Sequence, residues 1–187
     1  MGRMKLPWND PKGRFNWLKA AALGVAVLPG LVILYWYATG QLGALPTKAA
    51  MKLIGLWCIR FLIISMALTP LQRILNWPRL ALIRRITGVT AAAYAGIHLM
   101  LFIPYSGFDA GKIVSEIALR PYLTIGFAAL LGLAALAATS TDAMLARLGQ
   151  NWKRLHRLVY LIVPLGLLHH AMQAKLDVTA PLQLAAM

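Results

Sequence analysis

From Trp17 onward the chain is a series of long apolar runs separated by short polar, basic or proline-marked segments. Five runs stand out, at residues 17–38, 50–69, 86–105, 121–139 and 156–173. Each is close to the roughly 20 apolar residues that a helix rising about 1.5 Å per residue needs to cross a bilayer core. The pattern predicts an all-α transmembrane helical bundle with five spans. After Lys175 and Asp177 the stretch "VTAPLQLAAM" begins apolar and stops within a few residues, so the alternative is a truncated sixth span. The connections are short and without repeats or low-complexity segments, which predicts a single domain over residues 1–187.

Prolines and caps punctuate this frame. Pro46 falls in one connection, Pro70 and Pro78 flank another, and Pro121 suits a first helical turn, where its missing N–H costs nothing. Pro29 and Pro164 lie inside runs and predict bends. The segment "TSTDAMLARLGQNW" reads as the end of the fourth span, then a short helix capped by Thr141 and stopped at Gly149. Met144, Leu145 and Leu148 of that helix are expected at the membrane surface.

Composition supports the membrane reading. The chain is 60% hydrophobic and only 13% charged, against about a quarter charged in soluble domains. Its net charge of +14 does not mark a nucleic-acid binder, because the basic residues punctuate the loops instead of gathering in a soluble patch. With the N-terminus in the cytoplasm, the inner side takes Arg3, Lys5, Lys12, Arg14 and Lys19, then Arg73, Arg79, Arg84 and Arg85, then Arg147, Lys153, Arg154 and Arg157. The outer side takes Lys48, Lys52, Lys112, Arg120 and Lys175. That asymmetry fixes the orientation by the positive-inside rule. The first run is longer than a signal-peptide core, so it reads as a retained helix. The lone cysteine, Cys58, excludes an intramolecular disulfide and a cysteine-held cluster.

An ionisable residue within a span is a functional candidate by default, and histidine is a common axial ligand of haem iron. His98, in "YAGIHLM", lies 13 residues after Arg85, and His169 lies 12 after Arg157. Both helices run outward, so each imidazole stands roughly 18–20 Å from the inner basic line. At matched depth they can clamp one flat macrocycle; the plainer reading of either is a neutral ring hydrogen-bonded to a neighbouring helix. His156 sits among Lys153, Arg154 and Arg157, where a solvated histidine is unremarkable, but its 13-residue separation from His169 suits a ligand nearer the inner face. Ideal helical rotation leaves His156 and His169 about 140° apart and His156 and His170 about 40° apart. Pro164 between them can shift that register. Counting back from His98 reaches Arg84 or Arg85, and arginine does not ligate iron, so the residues provide one complete bis-histidine site and one half-site. Arg60, in the middle of "LWCIRFLIISMAL", either snorkels to an interface or pairs with a haem propionate or quinone headgroup.

The stretches "LTPL" at 68–71, "RRITG" at 84–88 followed by His98, "RPYLTIG" at 120–126, "TSTDAM" at 139–144 and "LGQNWKRLHRLVYL" at 148–161 carry a resemblance over nearly the whole chain. It resembles the haem-binding membrane subunits of bacterial periplasmic methionine sulfoxide reductase systems, within the ferric-reductase-like transmembrane superfamily. The resemblance implies a b-type cytochrome of the inner membrane. Its electrons would come from quinol or a cytoplasmic flavin reductase and go to a periplasmic molybdenum-cofactor (molybdopterin) catalytic subunit that reduces methionine sulfoxide. It places the haem ligands on His98, His156 and His169, matches nothing to His170, and implies one haem b with a second in doubt at the arginine position. It also implies FMN, for which no residues here mark a site, and usually a sixth helix.

Two rival readings make different demands. A membrane reductase acting directly on ferric iron favours a fused flavin- and nicotinamide-binding domain, which these 187 residues do not contain. A transporter or channel, with His98 and Arg60 along a polar path, predicts a colourless protein. A purely structural anchor leaves the matched depth of the histidines unexplained.

Overall fold

The computed structural model of the protein describes residues 14–185, with side chains as far as Lys175. Arg3, Lys5 and Lys12, and the side chain of Asp177, lie outside that part. Eight helices follow one another: α1 (Trp17–Ala38), α2 (Pro46–Ile74), α3 (Leu80–Tyr105), α4 (Ala110–Leu119), α5 (Pro121–Ala138), α6 (Asp142–Leu148), α7 (Gln150–His156) and α8 (Val159–Ala185). Five stretches are long and apolar enough to cross a membrane: α1, α2, α3, α5 and Gln150–Lys175, which runs through α7 into α8. The architecture is all-α, as the apolar runs require. Beyond Lys175, where the sequence reads as the start of another run, α8 continues to Ala185.

Helix ends follow local chemistry. Asn16 caps α1 by accepting from the Lys19 N–H at 3.2 Å, and Pro46 and Pro121 each open a helix in its first turn. Thr141 caps α6 by accepting from Met144 N–H at 3.2 Å, and Gly149 ends it at φ +51°, a conformation that suits glycine. Pro70 differs from expectation, because α2 runs through it to Ile74. A proline withdraws a single backbone donor, and a helix in apolar surroundings loses more by ending than by carrying that one defect. Helix α4 occupies a connection expected to be loop, capped by Asp109, whose carboxylate accepts from Lys112 N–H at 2.9 Å.

By its packing the chain divides into two compact units, one ending at Tyr94 and one beginning at Ala95. In the first, small residues let helices approach closely. Ser65 donates to the Arg84 carbonyl at 3.1 Å, and a side chain at Gly88 would press on Ser65 Oγ at 3.2 Å. Cys58 donates its thiol hydrogen to the Ala91 carbonyl at 3.2 Å. Tyr94 is buried, with its ring 5.3 Å from Phe61. Its hydroxyl accepts from Gly30 N–H at 2.8 Å and donates to Ala26 C=O at 2.9 Å. Those are the two groups an α-helix joins directly, so the phenol is inserted into the α1 ladder beside Pro29, one of the recognised causes of helix bending. Gly30 is required there, since a Cβ would lie 3.0 Å from the hydroxyl oxygen.

In the second unit α5 lies along α8. The buried positions of α5, Ala129, Leu133 and Leu136, recur at intervals of four and three, which is one face of a helix. Gly132 takes Ile162 at close range: a Cβ would sit 2.9 Å from its side chain. Apolar side chains such as Leu131, Tyr160 and Leu161 stay exposed, as expected of surfaces that meet lipid.

Tyr94→Phe removes the hydroxyl that bridges the Gly30 N–H and the Ala26 carbonyl of α1. It is expected to cost about 1–3 kcal/mol, seen as a Tm several degrees lower in detergent; an unchanged Tm would show that the bridge contributes nothing.

Candidate functional site

His98 on α3 and His169 on α8 are brought together, with ring centres 6.2 Å apart and planes at 86°. Both are half-buried. Imidazoles bound to opposite sides of one metal atom, with metal–nitrogen bonds of about 2 Å, hold their ring centres about 6 Å apart. The observed spacing meets that requirement. Among the described residues no three His, Cys, Asp or Glu side chains gather to hold a metal. A metal between these two rings therefore has two protein ligands and must bring the rest of its coordination with it, as iron in a flat macrocycle does.

The orientation of His169 is set by α5. Its Nδ1 lies 2.7 Å from the main-chain oxygen of Tyr122. A carbonyl only accepts, so Nδ1 carries a hydrogen, and the neutral ring presents the lone pair of Nε2 for ligation. The Tyr122 ring lies nearly parallel to the imidazole, 6.2 Å between centres at 21°. One turn further along α5, a Cβ at Gly126 would come within 2.6 Å of His169 Nδ1. The segment "RPYLTIG" thus supplies the acceptor and the hollow for one histidine. At its start Arg120 pairs with Glu116 at 3.2 Å and donates to the Tyr122 hydroxyl at 3.4 Å. That hydroxyl first, and the Glu116 charge second, push the Arg120 guanidinium pKa above its ordinary value.

His156 is placed at the other end of α5. Its Nε2 lies 3.2 Å from Thr139 Oγ1, and its ring stacks on Trp152 at 3.9 Å and 24°. Trp152 in turn donates its indole N–H to the Thr139 carbonyl at 2.9 Å. The register between His156 and His169 changes where α7 meets α8. Four i→i−3 bonds, from Arg157, Leu158, Tyr160 and Leu161 at 3.0–3.2 Å, span that junction. A 3₁₀-type turn advances about 20° more per residue than an α-helix, so this junction reduces the 140° that ideal geometry sets between the two histidines. His170 makes no hydrogen bond or ring contact among the described residues.

Arg60, on α2, places its guanidinium 4.7 Å over the Trp57 ring, a cation–π seat one turn back along the same helix. Among the described residues it forms no ion pair. The residues that sequence reasoning passed over are Tyr122, Gly126, Thr139 and Trp152. The available signal was a glycine one turn after a tyrosine in an otherwise apolar helix. The function of Tyr122 lies in its backbone, which no residue type announces.

Residues 54–167 match the family model described as the ferric reductase like transmembrane component. The matched segment includes Arg60, His98 and His156 and ends two residues before His169. Among curated relatives, the "Protein-methionine-sulfoxide reductase heme-binding subunit MsrQ" of Caulobacter vibrioides is 41% identical over 145 residues, covering 76% of this chain and 69% of that protein. The protein of the same name in Polaromonas naphthalenivorans is 41% identical over 164 residues, 84% of this chain and 75% of its own length. That of Ralstonia nicotianae is 37% identical over 169 residues, 88% and 77% respectively. No solved structure matches the chain. By the extent of these matches, the chain belongs to the ferric-reductase-like transmembrane family and, within it, groups with the MsrQ proteins.

Proposed function

We propose that the protein is a membrane b-type cytochrome of the bacterial inner membrane. It carries electrons from quinol, or from a flavin reductase on the cytoplasmic side, to a periplasmic molybdenum-cofactor methionine sulfoxide reductase. The observation that carries this reading is the pairing of His98 and His169 at 6.2 Å between ring centres. The relatives are named heme-binding subunits of protein-methionine-sulfoxide reductases, and extending that to this chain supplies both the cofactor and the system it serves.

When bound, haem supplies one-electron iron chemistry that the polypeptide lacks. His98 and His169 would hold it, and the Tyr122 carbonyl keeps His169 in the tautomer that leaves Nε2 for a ligand bond. Counted from Arg85 and Arg157, both histidines stand roughly 18–20 Å along their helices. With the N-terminus cytoplasmic, the pair then belongs to the outer half of the membrane, within reach of a periplasmic acceptor. His156, held by Thr139 and Trp152, belongs to the inner end, where electrons arrive. A second haem there would have His156 as its only histidine, because the position counted back from His98 is arginine. Arg60, seated on Trp57, is the candidate to pair with the headgroup of a quinone.

A pyridine haemochrome assay on the purified chain tests cofactor and stoichiometry together. The expected result is b-type haem at about one per chain; a colourless protein would return the chain to the transporter or channel reading. The assignment of ligands is tested separately. His98→Ala is expected to abolish low-spin b-type absorption, and His156→Ala to leave it in place. The opposite pattern would overturn the placement of the haem between α3 and α8.

A further inference from the structure

The glycine at 126 and the carbonyl at 122 raise a question that ligation by itself does not answer. An α5 helix packed on α8 has no general need of a glycine at 126, and glycine in a helix interior is unfavourable by about 1 kcal/mol relative to alanine. Gly132 on the same helix meets the flexible end of Ile162, which can move aside. At Gly126 the neighbour is the imidazole itself: Nδ1, Cε1 and Cγ of His169 lie 2.6, 2.8 and 2.9 Å from where a Cβ would be. A ring tethered to Tyr122 O at 2.7 Å cannot retreat from a methyl group without giving up that hydrogen bond.

We propose that Gly126 and the main-chain carbonyl of Tyr122 form one positioning device for His169. The missing side chain sets the ring against α5, and the carbonyl fixes its tautomer and strengthens its donation to iron. This rests on the haem reading above. Tyr122 and Gly126 are one helical turn apart and face the same way, so acceptor and hollow come from a single stretch of backbone. A hydrogen bond from the distal ring nitrogen to a carbonyl raises the basicity of the ligating nitrogen. It thereby favours the ferric state and lowers the midpoint potential.

Two measurements on the haem-loaded protein in detergent test the device. In Gly126→Ala the low-spin signal, read by electron paramagnetic resonance and optical absorption, is expected to fall at least tenfold or to persist with a raised midpoint potential. Gly132→Ala on the same helix keeps the wild-type spectrum and potential. A Gly126→Ala protein with wild-type spectrum and potential would overturn the proposal.

The second measurement does not depend on that variant folding. His169→Gly opens a space for an exogenous ligand. Imidazole, which can donate to the Tyr122 carbonyl, is expected to restore the low-spin signal at a concentration at least tenfold lower than 1-methylimidazole, which has no N–H. Equal rescue by the two would remove the carbonyl from the mechanism. Wild-type protein that contains no haem would instead sink the haem reading itself, which separates the two failures.

Discussion

A peptide group surrounded by hydrocarbon has no water to turn to, and most of this structure follows from that constraint. Among the described residues five stretches solve it by forming long helices, the last of them with a turn between α7 and α8. Beside Pro29 a side chain joins the ladder: the Tyr94 hydroxyl stands between Gly30 and Ala26. Polar side chains inside spans obey the same rule. Ser65 and Cys58 spend their hydrogens on carbonyls of α3, and His169 spends one on a carbonyl of α5. The histidine differs only in having a second nitrogen left for chemistry.

Small residues are the other half of the arrangement. Gly30, Gly88, Gly126 and Gly132 each stand where a Cβ would press on a side chain of a neighbouring helix. Without a hydrophobic driving force between helices in lipid, such close approach is what association depends on. Gly30, Gly88 and Gly126 go further, because what they admit is a polar group that bonds to the same helix one turn back. Closeness and hydrogen bonding are therefore supplied by one site in each case.

Much of this was legible in the amino-acid order. The five runs marked the spans because continuous apolarity over such lengths has few other uses. The Thr141 and Gly149 signals delimited α6 because caps are local chemistry. The depth match that paired His98 with His169 needed only a rise per residue and two arginines to count from, and it agrees with the rings' proximity. What could not be read depends on three dimensions. Helix α4 is ten residues long, too short to register as a span, and lies in a stretch read as loop. The turn between α7 and α8 is made by backbone bonds that any residue can form. Tyr94 and Gly126 owe their roles to partners 64 and 43 positions away. The placement of His156 on Thr139 could not have been foreseen from its basic neighbours alone.

The Tyr94 bridge bears on how the protein is made. A ribosome delivers α1 long before α3, and the phenol that occupies the gap at Gly30 emerges 64 residues later. Until then the Gly30 N–H and the Ala26 carbonyl have no partner outside their own helix. The bridge is thus acquired during assembly, when the third segment joins the first, and it marks a step that follows the insertion of α1.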